Sequence, residues 1–142
     1  MPSSADRPDV LVDTSIAVPF VLEDHDFHDP VVEAMGGRTL GLAGHAAFET
    51  FAVLTRMPSP ARRSPASAAR LIKWNFPETR WLGSQAAADL AESLGLLGLA
   101  GGAVFDALVA AAAREHNLIL ATRDLRATRT YRAIEARVEF VS

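Results

Sequence analysis

The chain has no cysteine. That excludes disulfides, thiolate zinc sites and a cysteine nucleophile. Lysine is almost as scarce: Lys73 is alone, and arginine carries the rest of the positive charge. The formal net charge of -3 excludes a basic protein that coats nucleic acid, while leaving room for local arginine patches. No run reaches the roughly 18 uninterrupted apolar residues of a membrane helix. The opening "MPSSADRPD" has no apolar signal core. The expectation is a cytoplasmic protein without a membrane span. Gly95, Gly98, Gly101 and Gly102 neither follow a strand nor form G-x-G-x-x-G, so dinucleotide binding is weakly supported. "GHAAFE" is not H-E-x-x-H, which rules out a zinc protease of that type.

What is present is an ordinary globular composition, 49% hydrophobic and 22% charged over 142 residues. That length predicts one domain, 1–142, with a sizeable core. "DVLVD" (Asp9 to Asp13) reads as a buried strand, followed by a helix from Thr14 with Thr14 or Ser15 as cap. A helix from Asp26 to Gly36-Gly37, a weak strand in "RTLGLA" and an amphipathic helix from Gly44 to Met57 come next. "MPSPARRSP" is a loop, and Ser64 caps a helix to Asn75. "ETRWLG" (Glu78 to Gly83) reads as a short strand. Ser84 caps a helix to about Leu94, and another helix runs from Gly101 to about His116. "NLILAT" is a clear strand, "RDLRATRTYRAI" a short helix, and "VEFVS" a terminal strand. Alternation of this kind predicts an α/β fold with a mainly parallel central sheet flanked by helices, a Rossmann-like three-layer sandwich. Ligands in such folds bind beyond the carboxyl ends of the strands.

Acids fall at that edge. Asp13 ends the first strand, and Asp124 follows "LILAT" by one residue. Each has an alternative role as a helix N-cap. Glu49 interrupts a mainly apolar helix, where the alternative is a solvent-facing position. His45 lies four residues earlier on the same face, as a capping residue or a support beside Glu49 in preference to a metal ligand. Asp106 sits among Gly102, Ala103, Val109 and Ala110, with no cation or donor side chain at helical spacing. It either profits from the positive end of its helix or shares a metal ion with carboxylates from elsewhere. One shared acidic pocket explains all four acids together. Such a pocket suits a hard, oxygen-preferring cation, Mg²⁺ or Mn²⁺. Clustered carboxylates, water and a divalent metal point to phosphodiester hydrolysis.

"LVDTSI", a helix bearing "FET", "GGAVFDALVAAAA" and "LILATRDLRA" form a series that resembles the PIN-domain ribonucleases, above all the VapC-type toxins of bacterial toxin–antitoxin pairs. The resemblance runs from about Val10 to Val141. It implies that Asp13, Glu49, Asp106 and Asp124 form the metal site, with Thr14 and Ser15 at the small hydroxyl positions beside the first acid. It implies a PIN-like fold, Mg²⁺- or Mn²⁺-dependent RNA cleavage, a homodimer, and a cognate VapB-type antitoxin that covers the site.

Two other phosphate-handling folds fit less well. A dehalogenase-like phosphatase needs an acid where Ser15 stands, and a receiver domain needs a late-strand lysine, whereas Lys73 lies in a helix. The rival of a different class is a catalytically silent PIN-like module that binds RNA or protein. Arg123, Arg126 and Arg129 beside the fourth acid, and Arg62 and Arg63 in the loop, are candidate RNA contacts; their alternative is a solvated surface. Leu90, Leu94, Leu96, Leu97 and Leu99 exceed what one short helix face hides; core packing is the simpler account of them, and the homodimer is expected chiefly because the resemblance implies it.

Overall fold

The structure, a computed structural model, describes residues 7–142. Residues 1–6, part of the opening without an apolar signal core, lie outside the described residues. The described elements are β1 (Val10–Val12), α1 (Thr14–Val21), α2 (His28–Met35), β2 (Leu40–Leu42), α3 (Ala46–Arg56), α4 (Pro65–Asn75), α5 (Ser84–Leu97), α6 (Ala103–Glu115), β3 (Leu120–Thr122), α7 (Leu125–Ala133) and β4 (Val138–Phe140). The strands form one sheet in the order β2-β1-β3-β4, every pair parallel. The expected α/β sandwich is therefore what the chain adopts. No helix among the described residues is long and apolar enough to cross a membrane.

β1 is central and wholly buried, as an apolar β-branched run in a parallel sheet should be. Its side chains pack with Ile16, Met35 and the buried stretch Val109 to Ala113 of α6 in one main core. The alanines let α6 lie close to its neighbours. A smaller cluster of Val18, Leu22, Leu54 and Ala68 joins α1 to α3 and α4.

Four expectations need correction. Residues 78–83 are not a strand: they make one parallel bridge, Arg80 to Ala43. The segment does donate from Glu78 N–H to Leu40 and from Arg80 N–H to Leu42, at 3.2 Å each. It then leaves the edge, because Gly83 N–H is taken by Glu115 at 2.8 Å. Ser84 is inside α5, and Gly83 holds the N-cap position without a side-chain bond. The same helix runs past Leu94 to Leu97 and stops at Gly98, whose φ of 68° is the left-handed turn that glycine adopts freely. Finally, neither Thr14 nor Ser15 caps α1. Asp13 does, accepting from Ile16 N–H at 3.3 Å.

Of the leucines after residue 89, Leu90, Leu94 and Leu99 join the core, so packing accounts for them. Leu96 and Leu97 remain exposed.

Candidate active site

Four helix N-termini meet at the carboxyl edge of β1 and β3. Asp13 is the N-cap of α1 and Asp124 the N-cap of α7, where it accepts from Ala127 N–H at 3.1 Å. Glu49 and Asp106 lie in the first turns of α3 and α6. Each acid thus sits where the partial positive charge of a helix end favours an anion. Capping and a place in one pocket are not rivals: Asp13 and Asp124 cap their helices and also line a shared cavity. Together with Thr14, Ser15, Val109 and Tyr131, all four acids line one cavity of about 60 Å³. That is room for about two waters. It opens toward a wider one of about 500 Å³ that shares Glu49 and Asp106 and adds Phe105, Arg126 and Arg129.

The acids differ in what holds them. Asp13 is buried, and its carboxylate accepts four hydrogen bonds. Oδ1 takes Ser15 Oγ–H at 2.6 Å and Ile16 N–H. Oδ2 takes the Thr122 hydroxyl and the Tyr131 hydroxyl, the latter at 2.7 Å. Those four donors fill the lone-pair sites of a carboxylate. Ser15 Oγ also accepts from Arg123 N–H at 2.7 Å, and Thr122 Oγ1 from Asp124 N–H at 3.0 Å, so the first and fourth acids are tied through one hydroxyl network. Thr14 stands outside that network, its hydroxyl 3.1 Å from that of Thr50 in α3. The carboxylate of Asp106 has no hydrogen bond or ion pair among the described residues. Glu49 has only His45, with Nε2 3.9 Å from Oε1. His45 occupies the N-cap position of α3 but makes no capping bond.

A PIN-domain family model matches residues 10–133. The chain belongs to the PIN-domain family. Within it, the chain is 44% identical over 132 residues to ribonuclease VapC27 of Mycobacterium tuberculosis, covering 93% of this chain and 96% of that protein. It is 36% identical to ribonuclease VapC40 of the same species, covering 92% and 97%. Among solved structures, VapBC2 from Rickettsia felis, bound to a promoter DNA fragment, superposes with a TM-score of 0.65 at 17% identity, over 94% of this chain and 98% of that one. FitAcB from Neisseria gonorrhoeae gives 0.64 at 18% identity, over 91% and 95%.

The electrostatics of this PIN domain follow from the crowding of its acids. Burial raises the pKa of Asp13 above the ordinary aspartate value, against the four hydrogen bonds that lower it. Burial also raises Glu49, helped by the charges of Asp106 and Asp13 and opposed by His45. Asp106 is raised by burial first and then by the charge of Asp124, with Arg126 opposing. Tyr131 is pushed upward by burial and by Asp13, so it stays a neutral donor. A pocket that resists carrying its own negative charge is one that a cation relieves.

The donor set fits such an ion. All the candidate ligands are oxygens, which suits Mg²⁺ or Mn²⁺. Among the described residues, no three His, Cys, Asp or Glu side chains form a ready-made direct shell. Mg²⁺ does not need one, since it keeps several waters and takes one or two carboxylates directly. Glu49 and Asp106 have free oxygens for that contact, whereas the oxygens of Asp13 are already occupied.

The arginines separate into two groups. Arg126 and Arg129 line the wider cavity, and Arg126 lies 3.7 Å from Asp124. Arg123 instead lies over the Phe27 ring, 3.8 Å from its centroid. Arg62 and Arg63 fold back on carbonyls of their own loop, at Met57 and Ala61. Sequence reasoning missed Thr122 and Tyr131. The signal for Tyr131 was its place seven residues after Asp124, two turns along the same helix face. A threonine closing a buried strand carries no such mark.

Proposed function

We propose that this chain is the toxin of a toxin–antitoxin pair, an endoribonuclease that hydrolyses RNA phosphodiester bonds with Mg²⁺ or Mn²⁺. The observation that carries this reading is the convergence of Asp13, Glu49, Asp106 and Asp124 on one small cavity of a PIN domain. Kinship with proteins named ribonucleases supports RNA as the substrate. Glu49 and Asp106 would hold the ion, with Asp13 and Asp124 orienting its waters. The ion would supply a water of lowered pKa and a counter-charge to the in-line displacement. Arg126 and Arg129, on the rim, would take the phosphates on either side of the cut. Ser15, Thr122 and Tyr131 hold Asp13 in place throughout.

The antitoxin would be of the VapB type, as the VapBC2 and FitAcB complexes suggest by their shared fold. We further propose a homodimer, supported by the exposed Leu96 and Leu97, and a single domain over 1–142, supported by one sheet and one main core. An RNA-cutting toxin of this kind would act in the cytoplasm, where its substrates are.

The test is cleavage of RNA by the purified chain. Activity should require Mg²⁺ or Mn²⁺, stop in chelator, and leave 5′-phosphate and 3′-hydroxyl ends. Asp13→Asn and Asp106→Asn should abolish most of it while circular dichroism stays native. Full cleavage by either variant would refute the site.

A further inference from the structure

Three large aromatic rings lie on the surface beside the acid cavity. Phe48 is 64% exposed, Trp81 52% and Phe105 50%. They come from three separate places in the chain: α3, the segment before α5, and the first turn of α6. With His45 they form a continuous row. Phe105 stacks on His45 with centroids 5.3 Å apart, His45 meets Phe48 at 6.2 Å, and Phe48 meets Trp81 at 5.5 Å. The last two pairs are tilted by 46° and 54°, so the rings do not cover one another. Exposing that much aromatic surface invites association and needs a reason.

The row has a direction. Its first ring, Phe105, precedes Asp106 in sequence and lines the wider cavity with Glu49, Arg126 and Arg129. His45, the next in the row, lies 3.9 Å from Glu49. The row therefore starts at the acids and leads away from them, while the arginines stand on the cavity's other elements. Aromatic faces beside a cationic rim are the combination that holds unpaired strands, because every base has a π-face and every linkage a charge. A duplex cannot use such a row, since its bases are already stacked.

We propose that Phe105, His45, Phe48 and Trp81 form a stacking track for the bases that flank the scissile phosphate, a base-binding subsite built by this chain's own aromatic row. The proposal rests on the ribonuclease reading above and names the residues that would bind the bases of its substrate. Phe105 and Phe48 are binding residues, and Trp81 is the far end of the track.

Trp81 also reports on it. The chain has two tryptophans, so Trp74→Phe leaves Trp81 as the single emitter. The full-length chain carrying Trp74→Phe and Asp106→Asn, in chelator, would bind RNA without cutting it. A short unstructured oligoribonucleotide should quench Trp81, and the blunt duplex of the same sequence should not. Phe48→Ala and Phe105→Ala should each raise Kd by about 5- to 100-fold, the loss of one stacked base. Phe48→Tyr should keep the affinity, and Arg126→Ala should weaken binding and flatten its salt dependence.

Three results would overturn the track. One is single-strand binding that Arg126→Ala weakens but that neither quenches Trp81 nor responds to the ring variants; the ribonuclease reading would then survive alone. Another is a ring variant that changes the sedimentation of the protein and not its RNA affinity, which would make the row a protein contact. The last is no RNA binding together with no metal-dependent cleavage by the parent chain, which would remove both readings.

Discussion

Replacing Asp106 with asparagine separates a carboxylate kept for a cation from one kept for its helix. The change preserves shape and removes one charge. Two carboxylates about 6–8 Å apart repel by ~2 kcal/mol at an effective dielectric of about 20. The cavity opens to solvent, and screening reduces this to ~1–1.5 kcal/mol. Against it stands the favourable interaction of an acid with the first turn of α6, worth about 0.3–1 kcal/mol. Repulsion wins, and Asp106→Asn should be the more stable protein in chelator, by ~0.5–1 kcal/mol or about 2–4 °C in Tm. Acid should narrow the gap. The pKa of Asp106 is raised in the fold, so the wild type is penalised as pH rises from the ordinary carboxylate range, and the penalty fades as pH falls back into it. Millimolar Mn²⁺ or Mg²⁺ should stabilise the wild type by its occupancy and the variant much less. Thermal melts of both proteins, at two pH values and with and without metal, measure every term. A variant that melts lower in chelator, with an undiminished metal response, would mean that Asp106 serves its helix.

Tyr131→Phe keeps a buried ring and removes one of the two donors to Asp13 Oδ2. It should cost about 1.5–3 kcal/mol in denaturant unfolding, and an unchanged midpoint would refute the bond's role. Gly41→Ala would set a Cβ 2.0 Å from the Glu78 carbonyl oxygen, which forces the 78–80 segment off the sheet edge. The expected loss exceeds about 3 kcal/mol, and a loss below about 0.5 kcal/mol would show that the edge yields freely.

The fold was legible wherever one pattern acted alone. "VLV" and "LAT" are short buried runs, and Ser64 and Pro65 mark a helix start that the structure reproduces, with Ser67 N–H on Ser64 Oγ at 3.1 Å. Residues 78–83 misled because their β character is real but local: hydrogen bonds of Glu78, Thr79 and Arg80 hold them to β2 before Glu115, a residue 32 positions away, captures Gly83. Nothing in "ETRWLG" announces that partner. In the site, the four acids were legible because a carboxylate on an apolar helix or past a buried strand is costly without a purpose. Their supports were not. Thr122 and Tyr131 reach Asp13 from 109 and 118 residues away, and no spacing rule spans such a gap. The arginines show the same limit: Arg62 and Arg63 look free in the sequence, and only the folded loop turns them onto its own carbonyls.

The unequal anchoring of the acids shapes how this protein can lose its activity by mutation. Asp13 caps a helix and satisfies four donors, so substitutions there other than the isosteric asparagine would damage folding along with the site. Among the described residues, the carboxylate of Asp106 makes no hydrogen bond or ion pair and that of Glu49 meets only His45. A lineage under pressure to silence the chain, yet still needing it folded to be recognised by a partner, has its shortest path through those two positions. Inactive descendants should therefore keep the first acid and lose the second or third. An intact Asp13 in such a chain would record the demands of folding and would say little about whether it still cuts.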